Sequence, residues 1–131
     1  MNDSIFTKII KGEIPCAKVY EDDKTFAFLD IHPIQPGHIL VITKQQVENF
    51  EELDDETLAH LFRTVKKAAL KIKSTFNPVK VGVRIEGFDV PHVHVHVYPC
   101  NTAEEFHGDM NRTQIEPDFK ALDELAERLR F

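Results

Sequence analysis

Two cysteines in 131 residues, Cys16 and Cys100, are too few and too far apart for a disulfide framework or a Cys-x-x-Cys zinc site. Cations are in the minority. Sixteen Lys and Arg against 22 Asp and Glu give a net charge of -6, which excludes broad nucleic-acid binding by clustered positive charge. A small local anion site remains compatible with that balance. No apolar run approaches the roughly 18 residues of a membrane span, and residues 1–13 lack the apolar stretch of a signal peptide. No membrane partner is therefore expected, and a reducing cytoplasm is the simplest location. Internal repeats, low-complexity tracts and linkers are also missing, so residues 1–131 are expected to form a single domain. A chain of this size should bury about two-thirds of its unfolded surface, enough for a core without cross-links.

What is present is ordinary globular patterning, 42% hydrophobic and 29% charged. Asp3 or Ser4 can cap a helix to about Lys11, with Ile5, Phe6, Ile9 and Ile10 along one side; Gly12 closes it and Pro15 forbids continuation. Strands over 19–21 and 25–30 flank a tight Asp22-Asp23-Lys24 turn. Pro33, Pro36 and Gly37 make 31–37 a loop, which leads into a short apolar strand over 38–43. The longest helix starts at a cap on Asp54 or Asp55 and ends at Asn77-Pro78. Leu58, Leu61, Phe62, Val65, Ala69 and Ile72 recur along it at helical spacing. A strand over 79–86 places Val79, Val81, Val83 and Ile85 on one face, and another covers 92–98. Asp118 caps a final helix carrying Phe119, Leu122, Leu125 and Leu129. This order predicts an α+β fold with a mostly antiparallel sheet of about five strands, one long helix and short terminal helices.

The informative segment is Pro91-His92-Val93-His94-Val95-His96-Val97-Tyr98. Strand alternation puts His92, His94 and His96 on one face and the valines on the other, against the core. Seven histidines scattered at random over 131 residues would form such a triplet in only about 2% of chains. Three readings follow. The face can be solvated and His-rich without a role. Neighbouring histidines can share a metal ion if His38 or Asp30 adds a ligand. Alternatively, a central imidazole with one nitrogen free and the other held on an acceptor is a competent nucleophile, suited to attack on phosphorus.

The segment His92-Val93-His94-Val95-His96-Val97-Tyr98 also resembles the signature of the histidine triad (HIT) superfamily of nucleotide hydrolases and transferases. Ile5-Phe6-x-x-Ile9-Ile10-x-Gly12-Glu13-Ile14-Pro15 is similar to that family's opening helix. Phe28-Leu29-Asp30-Ile31-x-Pro33-x-x-x-Gly37-His38-x-Leu40-Val41-Ile42 is similar to its central strand-loop-strand. The resemblance implies a HIT-like fold, a symmetric homodimer with the long helix and a sheet edge near its interface, and no cofactor. It implies an adenosine-type, purine nucleotide substrate cleaved at the α-phosphorus through a nucleotidyl-His94 intermediate, releasing the monophosphate. His92 would then lie near the phosphate and leaving group, and His96 and His38 would support the site. Asp30 would accept from the ribose hydroxyls, and Ile5, Phe6, Ile9, Phe28 and Ile31 would surround the base. A neutral His94 implies activity falling below about pH 6. A phosphoramidase-like hydrolase is the first expectation and a dinucleoside polyphosphate hydrolase the second. A nucleotide-binding regulator with little turnover is a third, from another class.

Two departures from the family pattern matter. Many relatives carry a Cys-x-x-Cys at the opening helix and a His after the third strand as a structural zinc site, where this chain has Ser4, Thr7 and Gln46; no metal is expected there. Phosphoramidase-like relatives carry an Asn on the fourth strand, then a Gly-rich segment ending in Gln-Ser/Thr. Here Ile85 stands near the Asn position, and Glu86-Gly87-Phe88-Asp89-Val90-Pro91 is short and lacks the polar pair. Leaving-group activation would fall to His92, water or another residue. The polar stretch 101–116, with His107, Gly108 and Asp109, either completes a substrate pocket or simply connects to the last helix. His32 and His60 have no assigned role.

Overall fold

The computed structural model describes residues 2–108 and 112–131, so Asp109 lies outside the described residues. Helix α1 (Ile5–Ile10) is capped by Ser4, whose side chain accepts from the Thr7 amide, so Ser4 rather than Asp3 sets its start. Strands β1 (Lys18–Glu21), β2 (Thr25–Leu29) and β3 (Ile39–Thr43) follow. Helix α2 (Asp55–Phe76) starts on the Asp54 cap and stops where Asn77 turns left-handed at φ 49° before Pro78. Strands β4 (Lys80–Ile85) and β5 (His94–Cys100) precede the short α3 (Ala103–His107) and the terminal α4 (Phe119–Leu129), capped by Asp118.

The five strands form one sheet in the order β1-β2-β3-β5-β4, with every neighbouring pair antiparallel. The α+β expectation and its mainly antiparallel sheet hold. Both faces are covered. On one, Leu61, Val65, Ala68 and Ile72 of α2 and Leu122, Ala126 and Leu129 of α4 pack on Ala27, Leu29, Ile39, Val41, Val95 and Val97. On the other, Phe6 and Ile9 of α1 pack on Phe26, Phe28, Leu40 and Ile42. Each large side chain so buried contributes about 1.5–3 kcal/mol. Among the described residues no helix is long and apolar enough to cross a membrane.

Three sequence expectations change. The last strand begins at His94, so His92 and Val93 precede it. The 101–116 stretch contains α3 and a 3-10 turn at Arg112–Gln114. On β4 the apolar face is only partly covered, with Val79 64% and Val83 41% exposed, because β4 is a sheet edge. Gly37 has a structural requirement of its own. Its φ is +96°, and a Cβ there would come within 2.6 Å of the Phe76 ring, so glycine lets the 30–38 loop close against α2 and deliver His38.

Candidate active site

The β3–β5 register sets Leu40 opposite His96 and Ile42 opposite His94, putting both histidines on the face covered by α1. They are buried, as are His92 and His38, which removes the reading of a solvated strand face. Their hydrogen bonds have a direction that the backbone imposes. The Ile34 amide donates to His38 Nδ1 at 3.0 Å, so the proton of neutral His38 sits on Nε2. That Nε2–H donates to His96 Nδ1 at 2.9 Å, leaving the second proton of the pair on His96 Nε2. His96 Nε2 is buried and has no hydrogen-bond partner among the described residues. A buried, unsatisfied donor beside an open cleft is placed to meet an anionic oxygen.

His94 is set the opposite way. Its Nδ1 lies 2.7 Å from the His92 carbonyl, which can only accept, so Nδ1 carries the proton and Nε2 of the neutral ring carries the lone pair. The Phe6 ring meets His94 edge-on at a centroid distance of 4.9 Å and fixes its plane, and Phe28 in turn meets Phe6 at 5.6 Å. The triad therefore presents a lone pair on His94 and a proton on His96.

His92 does not reach the cleft. It is fully buried, its Nε2 donates to the Thr43 carbonyl at 2.7 Å, and its Nδ1 accepts from Ser4 Oγ at 2.7 Å. Its backbone carbonyl acts on His94 at Nδ1, while its ring is engaged away from the cleft, not beside a phosphate as the family resemblance implies. Ser4, Thr7 and Gln46 converge on that ring: the Thr7 hydroxyl donates to Gln46 Oε1 at 2.7 Å and lies 3.4 Å from His92 Nδ1, and the Ser4 amide donates to the same Gln46 oxygen. These positions gather around His92 Nδ1 as ligands of a metal would, yet they offer two hydroxyls and an amide already bonded to one another. Zinc, which takes thiolate and imidazole, does not fit this set. Ser4→Ala removes both the α1 cap and the donor to His92. Urea unfolding should show it less stable by about 1–3 kcal/mol, and an unchanged midpoint would mean that the ring is held by other groups.

Asp30, His38 and His96 offer ligand atoms within 4.8 Å of one another. The metal reading meets a chemical obstacle there. A cation on His38 Nε2 would displace the proton that the Ile34 amide holds in place, leaving two N–H groups facing each other at Nδ1.

A cleft of about 370 Å³ opens over this face. Of the residues singled out from sequence, Ile5, Phe6, Ile9, Phe28, Asp30, Ile31, His94 and His96 line it, whereas His38 and His92 stand behind. Asp30 Oδ1 accepts from the His32 amide at 2.9 Å, and burial raises the Asp30 carboxyl above its usual range against the opposing effects of that amide and of Arg112. Arg112 and Thr113 border the cleft from the 101–116 stretch, in line with the alternative that this stretch completes a pocket, although neither residue was singled out. Sequence reasoning missed Glu86, Asp89 and Val90 of the β4–β5 loop and Phe119 at the start of α4. Arg112 also walls a second, apolar pocket of about 310 Å³ between the 31–36 loop and α4. Cys16 lines the cleft, but burial pushes its thiol up to about 11, so it is no rival nucleophile at neutral pH. Ile85 packs on the α2 side of the sheet and does not border the cleft.

In comparisons with known proteins, residues 11–103 match the HIT domain. An adenosine 5'-monophosphoramidase of Schizosaccharomyces pombe is 43% identical over 96 residues, covering 72% of each chain. An uncharacterised HIT-like protein of Methanocaldococcus jannaschii is 43% identical over 99 residues, 72% of this chain and 77% of that one. Among solved structures, a Hit-like protein of Bartonella henselae superposes with a TM-score of 0.86 at 34% identity, over 99% of this chain and 96% of the other.

Proposed function

The chain belongs to the HIT-domain family, and from that premise we propose that it is a nucleotidyl hydrolase. It cleaves at the α-phosphorus of adenosine-type nucleotide conjugates, phosphoramidates first, through a covalent nucleotidyl-His94 intermediate. The observation that carries this reading is the fixed polarity of the triad: the His92 carbonyl keeps the proton on His94 Nδ1 and leaves Nε2 free to attack. In the first step Nε2 bonds to phosphorus and the bond to the leaving nitrogen breaks. The His96 Nε2–H, oriented through His38 and the Ile34 amide, donates to a phosphoryl oxygen as charge shifts onto it. The His92 ring is engaged at both nitrogens, so the departing nitrogen takes its proton from water. A second water then attacks phosphorus, the P–Nε2 bond breaks, and the nucleoside monophosphate leaves. On this reading Asp30 accepts from the ribose hydroxyls, and Ile5, Phe6, Ile9, Phe28 and Ile31 enclose the base. The monophosphoramidase name of the S. pombe relative supports the substrate class.

The test is intact-protein mass spectrometry after an acid-free quench, with an adenosine phosphoramidate and a diadenosine polyphosphate supplied separately. One adenylyl group gained from the phosphoramidate, with faster AMP release, supports the proposal. Faster release from the polyphosphate favours the dinucleoside polyphosphate reading, and binding without turnover favours a regulator.

A symmetric pair of chains belongs to the same proposal. Val83 of edge strand β4 and Val79 just before it are exposed, as are Phe62 and Leu70 of α2. Light scattering should give twice the 15.1 kDa chain mass, and Val83→Lys should shift it toward one copy. A single-copy mass for the unmodified protein would remove the dimer.

A further inference from the structure

We infer that Arg112, delivered by the segment between α3 and α4, is a phosphate-binding residue of the cleft. The inference deepens the nucleotide reading above and rests on it. Arg112 opens the Arg112–Gln114 turn, and its Nε–H donates to the His32 carbonyl at 3.0 Å. The His32 amide in turn donates to Asp30 Oδ1, so the arginine is tied by one N–H to the backbone of the loop that carries Asp30. Among the described residues that line the cleft it is the only Lys or Arg. Among the described residues, no carboxylate lies within the 4.0 Å that would make an ion pair with it.

A guanidinium in a partly enclosed site, with no contact ion pair among the described residues, has hydrogen-bonding capacity that a ligand can complete. Its position narrows the ligand. Arg112, Asp30 and His96 line the same cleft, and Arg112 is bonded to the carbonyl two residues beyond Asp30. Its positive charge also pushes His38 and His96 toward the neutral form and offsets part of the rise at Asp30. In that cleft His96 presents its unsatisfied Nε2–H. On this inference an oxyanion bound at that donor also meets the guanidinium across the cleft, whose planar fork matches two phosphoryl oxygens at once. Lysine would bring the charge without the fork. The 86–91 segment lacks polar side chains other than two carboxylates, Glu86 and Asp89, which repel phosphate. A cation from the opposite side of the cleft supplies what that segment does not.

The experiment is calorimetric titration of the full chain, unmodified and as Arg112→Gln and Arg112→Lys, with AMP and with adenosine. The two ligands differ only by the phosphate. The unmodified protein is expected to prefer AMP. In Arg112→Gln, AMP affinity should fall by about 10- to 100-fold with adenosine affinity unchanged, the size of a charge-assisted contact. Arg112→Lys should recover part of the loss. Equal losses for AMP and adenosine would make Arg112 only a pin for the 30–38 loop, and an AMP preference retained in Arg112→Gln would end its phosphate role; either overturns the inference. An unmodified protein that binds neither ligand overturns the nucleotide reading itself, and the inference with it.

Discussion

His94→Asn and His94→Gly are each expected to lower turnover by at least about 10⁴-fold while leaving the fold intact. The size follows from what is removed. On the proposed mechanism the nucleophile is the lone pair on His94 Nε2, which the His92 carbonyl holds in a fixed direction by tying down the opposite nitrogen. The Cys16 thiol, kept protonated by burial, is not placed to stand in for it. Asparagine can keep the hydrogen bond to the His92 carbonyl, which makes it the better control for folding. Circular dichroism and AMP titration should be close to those of the unmodified protein, while the adenylyl adduct disappears. His96→Asn should behave differently. It removes a donor to the transition state and breaks the bond from His38, so turnover should fall by about 10²–10³-fold with adduct still forming slowly. If His94→Asn kept more than a tenth of the activity, the nucleophile would have to be sought elsewhere.

The contrast between His94 and His92 shows where local sequence stops being informative. Strand alternation alone put His94 and His96 on one face with Val95 and Val97 on the core, and the structure places them so. Caps were equally legible: Ser4, Asp54, Asn77 and Asp118 act through backbone neighbours a few residues away. The same alternation puts the His92 ring on the α1 side as well, against Phe6, but it does not tell what holds that ring. That residue precedes β5, and its ring is captured by Ser4, 88 positions earlier in the chain. Arg112 was invisible for the same reason, since its contact with His32 spans 80 positions and leaves no periodic mark. Edge exposure on β4 is also a property of sheet order, because Val83 looks like a core valine until nothing is found beyond it. Resemblance to the family supplied the roles of Asp30 and the apolar wall. It gave no hint of Arg112.

Acidification from pH 7 to pH 5 is expected to remove several kcal/mol of stability, a large share of the 5–15 kcal/mol typical of a domain. The cause is the interior of the site. His38, His92 and His96 are all less than a tenth exposed, and burial is the largest influence lowering each below the ordinary imidazole value, His96 to about 3. The positive charges of Arg84 and Arg112 and the neighbouring His94 push His38 and His96 the same way. A group that is harder to protonate folded than unfolded contributes its full stabilisation above the unfolded value, near pH 6.5. As pH falls below that, the unfolded chain binds protons that the folded chain refuses, and each such histidine costs up to about 1.4 kcal/mol per pH unit. Asp30 opposes this trend, because its raised carboxyl takes up a proton more readily folded than unfolded, but it is one group against three. Asp22, held far below the usual carboxylate range by His60, Tyr20 and two backbone amides despite its burial, stays charged throughout and adds nothing to the slope. Urea midpoints at pH 7, 6 and 5 measure the effect directly. Replacing His38 by phenylalanine removes one of the three titrating rings and should flatten the pH dependence even if it lowers stability at pH 7. A midpoint that did not move between pH 7 and 5 would mean that these rings accept protons in the folded chain. The donor and acceptor directions around His94, which depend on neutral neighbours, would then fail with it.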